Sequence, residues 1–171
     1  MTGFVHVYTG DGKGKTTAAL GLALRAAGAG MRVFIARFLK TGDSSELAAL
    51  ERFGDLVTVR SYGRAGFIRG EPAPEDIEQA RNGFAEVRNV VASGAYELVI
   101  LDEVNVAVHL GLLSAEEVLD LIDRRPGNME LVLTGRRADD RIVARADLVT
   151  EMREVKHYYH AGVPARKGID T

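Results

Sequence analysis

The chain has 171 residues, 46% of them hydrophobic, enough to bury one good core, and it reads as a single domain over residues 1–171. A net charge of −2 gives no overall field toward nucleic acid or anionic membranes, and the lack of cysteine excludes disulfides, thiol catalysis and cysteine-held iron–sulfur clusters. No apolar run is long enough to cross a bilayer, and a strand begins by Phe4, leaving no room for a signal peptide, so a cytoplasmic protein is expected.

The first β-rich run, residues 4–9, leads into Tyr8-Thr9-Gly10-Asp11-Gly12-Lys13-Gly14-Lys15-Thr16-Thr17. A small, aliphatic helix is predicted next, over 16–27, ended by Gly28-Ala29-Gly30. Glycines between a strand and a helix are what a phosphate-binding loop requires. Without a β-carbon the backbone can curl and aim successive N–H groups at one anion. The opening helix adds its unpaired amides and the positive end of its dipole. Lys15 supplies a mobile cation, and the Thr16 hydroxyl is placed to reach a magnesium ion. In the pattern G-x-x-x-x-G-K-[ST] the first glycine position is Thr9 here; counted from Gly10, the loop is one residue short.

Strands are predicted next over 32–39 and 56–62. The stretch 63–74 holds three glycines, two prolines and two arginines and reads as a loop, with Phe67 and Ile68 expected to lie against the body of the domain. A helix over 74–93 opens with Pro74-Glu75-Asp76, carries Ile77, Ala80, Phe84, Val87 and Val91 at helical spacing, and ends at Gly94. The apolar strand 97–102 runs into Asp102-Glu103. In a parallel sheet these acids share an edge with the loop after Thr9. One of them can hold the magnesium bound by Thr16, and the other can orient a ligand or a water.

Ser114-Ala115-Glu116-Glu117 has the form of a capping box, and Pro126 should stop its helix at Arg125. Strand 130–134 ends in Gly135-Arg136-Arg137, where Arg136 or Arg137 can reach a polyphosphate while the other caps the surface. A last strand, 147–151, precedes a polar, aromatic and basic stretch that reads as a surface tail. The alternation implies an α/β fold like that of the P-loop NTPases: a mostly parallel sheet of about six strands with helices on both faces.

Taken in order, the glycine loop from Tyr8 to Thr17, Phe38-Leu39-Lys40, Leu101-Asp102-Glu103-Val104-Asn105, Thr134-Gly135-Arg136, Asp147 to Met152, Val155-Lys156-His157 and Gly168-Ile169-Asp170 resemble the P-loop corrinoid adenosyltransferases over essentially the whole chain. The resemblance implies a transferase that moves the 5′-deoxyadenosyl group of ATP to the cobalt(I) of a reduced corrinoid and releases triphosphate, in adenosylcobalamin synthesis or salvage. It implies an ATP site made of Gly10, Asp11, Gly12, Lys13, Gly14, Lys15, Thr16, Thr17 and Arg136, with Lys15 and Thr16 positioning the phosphates. Magnesium would lie on Thr16 and Glu103, with Asp102 as the further candidate, and no covalent catalytic residue is expected.

The resemblance also reverses the reading of the loop at 63–74. Phe67 matches a phenylalanine that displaces the lower ligand of cobalt(II), and Arg69 stands where relatives often carry tryptophan, so both become corrinoid-facing candidates. An electron-donating reductase protein and a homodimer are further implications. Relatives often carry an N-terminal extension that covers the site; with the first strand beginning by Phe4, that lid is expected to be absent or supplied by another segment. A P-loop NTPase or kinase, and a nucleotide-gated corrinoid-binding protein without turnover, are the alternative functions.

Overall fold

All six apolar runs become strands, and all six are parallel. The structure is a computed structural model that describes residues 2–42, 44–64 and 70–170. The strands are β1 (Val5–Thr9), β2 (Val33–Phe38), β3 (Val57–Tyr62), β4 (Leu98–Asp102), β5 (Glu130–Thr134) and β6 (Leu148–Glu151), arranged β3-β2-β4-β5-β1-β6. The registers Tyr8 with Thr134, Leu133 with Leu101, and Asp102 with Arg37 align the strand ends, so the loops that follow emerge over one edge.

Alternate residues of the central strands point into two separate cores. On one face Val7, Phe34, Val99, Leu101 and Leu133 meet α3 (Pro74–Ser93), α4 (Val104–His109), α5 (Ala115–Arg124) and α6 (Asp140–Arg145). On the other, Ile35, Ile100 and Val132 meet α1 (Lys15–Gly28) and α2 (Ser45–Leu50). The α1 contact is made by Ala19, Ala23 and Ala27 at four-residue spacing, so the helix backbone can lie close to the sheet. Burial on both faces is why these strands read as continuous apolar runs. The exception is β6, which is exposed along its length at the sheet edge and has Leu148 and Val149 more than 40% accessible.

The helix ends follow the capping chemistry read from the sequence. Ser114 Oγ accepts from the Glu117 amide at 3.2 Å, and the Ser114 N–H donates to the Glu117 carboxylate at 2.8 Å. The Asp76 carboxylate accepts from the Ala73 N–H at 2.9 Å and takes both arms of the Arg64 guanidinium. That pair holds Asp76 below the usual carboxylate range. Gly94 terminates α3 in the left-handed region, and α5 ends at Arg124, one residue before the expected stop. Three short helices, α2, α4 and α6, were not anticipated. Among the described residues, no helix is long and apolar enough to cross a membrane.

Gly83 lies on the buried face of α3, where an added Cβ would stand 2.3 Å from Tyr62 Cγ. The Tyr62 ring is itself backed by Phe38, with ring centres 5.7 Å apart. Alanine would gain about 1 kcal/mol of helix propensity, but driving a methyl into a backed ring costs about 1–3 kcal/mol. The clash should win. Gly83→Ala is expected to lower the thermal midpoint by a few degrees, ~2–4 °C per net kcal/mol for a chain of this size, and an unchanged or higher midpoint in calorimetry would refute the close contact.

Candidate nucleotide site

The loop between β1 and α1 is shaped by two different uses of glycine. Gly10 and Gly14 have φ of 91° and 120°, which side-chain-bearing residues rarely adopt. Gly12 is needed for close approach instead: a Cβ there would stand 2.7 Å from the Met152 carbonyl oxygen. The Gly12 N–H donates to that same carbonyl at 2.7 Å, and the Met152 N–H donates to Thr9 O at 2.8 Å. The Gly12 amide is therefore engaged by the chain leaving β6, in contrast to a loop whose amides all face one anion. The first bond within α1 runs from the Ala18 N–H to Gly14 O, and no side chain caps this helix end among the described residues. The opening amides of α1 are left for a ligand.

Lys15 is buried, and its ammonium donates to the carbonyls of Gly10 at 2.6 Å and Gly12 at 2.7 Å. Burial, and then the nearby Arg136 guanidinium, push it below the ordinary lysine value. An anion reaching this loop would relieve both effects.

Beside the loop, one carboxylate gathers three elements. Asp102, 1% exposed at the end of β4, accepts at Oδ1 from the hydroxyls of Thr16 (2.8 Å) and Thr134 (2.7 Å). Its Oδ2 accepts from the Lys40 ammonium at 2.8 Å. Lys40 also lies 3.3 Å from Thr16 Oγ1 and 3.7 Å from Glu103 Oε1. Glu103 opens α4 with φ of 63°, a left-handed turn uncommon outside glycine, and its N–H donates to Thr134 Oγ1 at 3.0 Å. Burial, with the adjacent Asp102 charge assisting, pushes the Glu103 carboxyl above its ordinary value against the pull of Lys40, Lys15 and Arg136.

A cleft of about 920 Å³ opens over these groups and is lined by residues 12–17, Lys40, Glu103 and Arg136. The structure separates the two arginines: Arg136 faces the cleft, while Arg137 contacts His109 Nε2 at 3.0 Å. Of the predicted loop residues, Asp11 and Lys13 are exposed, and Thr17 lines the cleft from an exposed position. Phe67 and Arg69 lie outside the described residues.

The sequence reading missed two contributors. Lys40 was noted only within a run of matching residues, and Thr134 only as the residue before a glycine. Polar residues at or just past the C-terminal ends of aligned parallel strands were the available pointer to both. The stretch read as a surface tail also belongs here. Lys13 Nζ meets Asp170 Oδ1 at 2.9 Å, and the Tyr158 hydroxyl and Arg166 bind the same carboxylate. Tyr158, Val163 and Ile169 form part of the cleft wall. The Tyr158 and Lys13 hydrogen bonds hold Asp170 well below the usual carboxylate range.

As a cation site the cluster offers hard oxygens, a hydroxyl and two carboxylates, with the Lys40 ammonium among them. The donor set fits magnesium. Among the described residues no group of three or more histidine, aspartate or glutamate side chains forms a metal cage. A divalent ion here would need oxygens from its ligand as well.

The chain is similar over almost its whole length to corrinoid adenosyltransferases of several bacteria. The family model described as ATP:corrinoid adenosyltransferase BtuR/CobO/CobP matches residues 1–171. A corrinoid adenosyltransferase of Salmonella typhimurium is 37% identical over 169 residues, covering 98% of this chain and 85% of the relative. One from Pseudomonas aeruginosa is 36% identical, covering 98% and 83%. An uncharacterized protein of Nostoc is 39% identical over 92% of this chain, which spans only 45% of that longer protein. The chain belongs to the corrinoid adenosyltransferases, a family of transferases.

Proposed function

We propose that the protein transfers the 5′-deoxyadenosyl group of Mg-ATP to the cobalt of a reduced corrinoid and releases triphosphate. The observation that carries this reading is the meeting of Thr16, Asp102 and Glu103 beside a glycine loop and the buried Lys15, in a chain of this family. In the reaction the cobalt(I) electron pair attacks C5′ of the ribose. A cobalt–carbon bond forms, the C5′–O bond breaks, and the triphosphate leaves with that bond's electrons. No proton must be removed from the nucleophile, so the chain needs no general base.

Its residues act instead on position and charge. The loop and Lys15 would grip the far phosphates and leave C5′ open toward the cleft, the reverse of what a kinase needs. Holding the reactants in line is worth several kcal/mol, and Lys15 and Arg136 would stabilise charge gathering on the departing triphosphate. Thr16 and Glu103 would hold magnesium, with Asp102 beneath them fixing the Thr16 hydroxyl; when bound, the ion adds positive charge against the phosphates. The corrinoid would enter from the side of the loop carrying Phe67 and Arg69. A cytoplasmic homodimer supplied with electrons by a reductase protein completes the reading.

Anaerobic incubation with Mg-ATP and chemically reduced corrinoid should yield a light-sensitive alkyl-cobalt product and inorganic triphosphate. ADP or phosphate instead would indicate an NTPase or kinase, and binding without product a non-catalytic carrier. In that assay Lys15→Ala should lose a charge-assisted contact worth about 2–3 kcal/mol. Turnover at low ATP should fall steeply, and near-normal turnover would remove Lys15 from the phosphate grip.

The two acids should separate by readout. Glu103→Gln is expected to raise the magnesium requirement and to slow transfer more than Asp102→Asn, with little change in stability. Asp102→Asn disturbs a buried hydrogen-bonded group, and its expected mark is a loss of about 1–3 kcal/mol of folding stability. A stable Asp102→Asn that loses its magnesium response, beside a Glu103→Gln that keeps it, would exchange the roles.

If Phe67 excludes the lower corrinoid ligand, Phe67→Ala should impair the reaction mainly when it starts from cobalt(II) and a weak reductant, and far less from cobalt(I). Spectra of the ATP complex test this directly, because four-coordinate and five-coordinate cobalt(II) are distinguishable. An unchanged four-coordinate signal in Phe67→Ala would end that role.

A further inference from the structure

Lys40 is outside the phosphate loop, yet its ammonium reaches Asp102 Oδ2 at 2.8 Å, Thr16 Oγ1 at 3.3 Å and Glu103 Oε1 at 3.7 Å. Two of these oxygens, those of Thr16 and Glu103, are assigned above to one divalent cation, with Asp102 set beneath them. All three come from β4, α1 and the turn into α4, and they converge on a lysine from the end of β2.

The backbone is built to put the lysine there. Leu39, the residue before it, has φ of 59°, a left-handed conformation that costs a leucine strain. The turn is held by the Leu39 N–H donating to Tyr62 O at 2.9 Å and by the leucine side chain packing on the core. Gly63 allows the neighbouring strand end to close in, since a Cβ there would stand 2.7 Å from Lys40 N and 2.9 Å from Leu39 C. The two partners differ in access: the Lys40 side chain is 29% exposed, that of Asp102 1%. The ammonium can swing outward, whereas the carboxylate is fixed by the hydroxyls of Thr16 and Thr134.

We propose that Lys40 is a built-in substitute for the divalent cation. It neutralises Asp102 and Glu103 and keeps their oxygens turned toward Thr16 while no metal–nucleotide complex is bound, and it yields those oxygens when the complex enters. The proposal rests on the Mg-ATP reading. A free divalent ion meets carboxylates that an ammonium already pairs, and displacing that ammonium alone strands a cation among cations. A metal arriving with a polyphosphate brings the anionic oxygens that Lys40 needs as its new partner. Metal and nucleotide are therefore taken up together, and each raises the affinity for the other.

The test uses Mn²⁺ as the probe, followed by electron paramagnetic resonance on the full chain without corrinoid. Wild type should bind Mn²⁺ weakly alone and about tenfold or more tightly with ATP. Lys40→Met should bind Mn²⁺ alone about tenfold more tightly than wild type, with a smaller enhancement by ATP. Adding Glu103→Gln should cancel that gain, and Lys40→Arg, which keeps the cation, should stay close to wild type. Circular dichroism checks folding, and Lys40→Gln replaces Lys40→Met if the latter does not fold. A folded Lys40→Met or Lys40→Gln that binds Mn²⁺ no better than wild type overturns the proposal, even where wild type still couples Mn²⁺ to ATP. Failure of ATP to enhance Mn²⁺ binding in wild type overturns the metal–nucleotide reading itself, and the proposal with it.

Discussion

A buried carboxylate cannot stay charged without partners, and Asp102 finds all of its partners on other elements. Taking an isolated carboxylate out of water is strongly unfavourable, and disturbing a buried hydrogen-bonded group costs about 1–3 kcal/mol. Here the partners are the first turn of α1, the end of β5 and the second residue after β2. Meeting this one requirement fixes the glycine loop, the strand register and the Lys40 turn relative to one another. A shift of one residue between β4 and β5 would carry Thr134 to the other face of the sheet and leave Asp102 Oδ1 with one hydroxyl. The site and the sheet therefore specify each other.

The loop is gripped from both ends of the chain. From inside, Lys15 ties the carbonyls of Gly10 and Gly12; from β6, the Met152 carbonyl takes the Gly12 amide; from the C-terminal segment, Asp170 pairs with Lys13. Together these contacts preset a backbone that would otherwise lose considerable entropy on closing around an anion, because glycine has the most conformational freedom to give up. The exposed edge strand β6 has its role in this arrangement. It contributes little to either core, but the residues leaving it form the wall against which the loop is moulded.

Much of this was legible in the sequence where local physics decides. The strands were readable because burial on both faces leaves apolar runs, and α3 and α5 because Asp76, Gly94 and Ser114 carry end chemistry that works within a few residues. The short helices were not. Each is six residues long, too few to display a 3.6-residue period, and α4 begins at a non-glycine left-handed residue that no propensity favours. Asp139, whose side chain accepts from the Arg141 amide, was a missed start signal for α6. Lys40 and Asp170 were hidden for a different reason. A lysine after a strand and an aspartate near a terminus resemble solvated surface groups until the topology brings their partners close. The loop, Asp102-Glu103 and Arg136 were readable because each sits directly after an apolar strand, and a parallel sheet collects such positions at one edge.

The charge balance at that edge bears on what the site can hold. Lys15, Lys40 and Arg136 supply three positive charges around the loop, and Asp102 and Glu103 supply two negative ones. Those five groups sum to one positive charge, the paired Lys13 and Asp170 add none, and Glu46 on the cleft wall offsets the remainder, so the cleft carries no net charge to set against the several negative charges of a polyphosphate. The carboxylates are already paired through Lys40, which makes them poor hosts for a divalent cation alone. An anion alone meets two fixed carboxylates, and a metal alone meets three cations. The combination that leaves the fewest unpaired charges is a polyphosphate carrying its own metal, with Lys40 transferred to the phosphate oxygens. Electrostatic preorganisation of this kind suits a reaction whose main demand is to stabilise a departing polyanion.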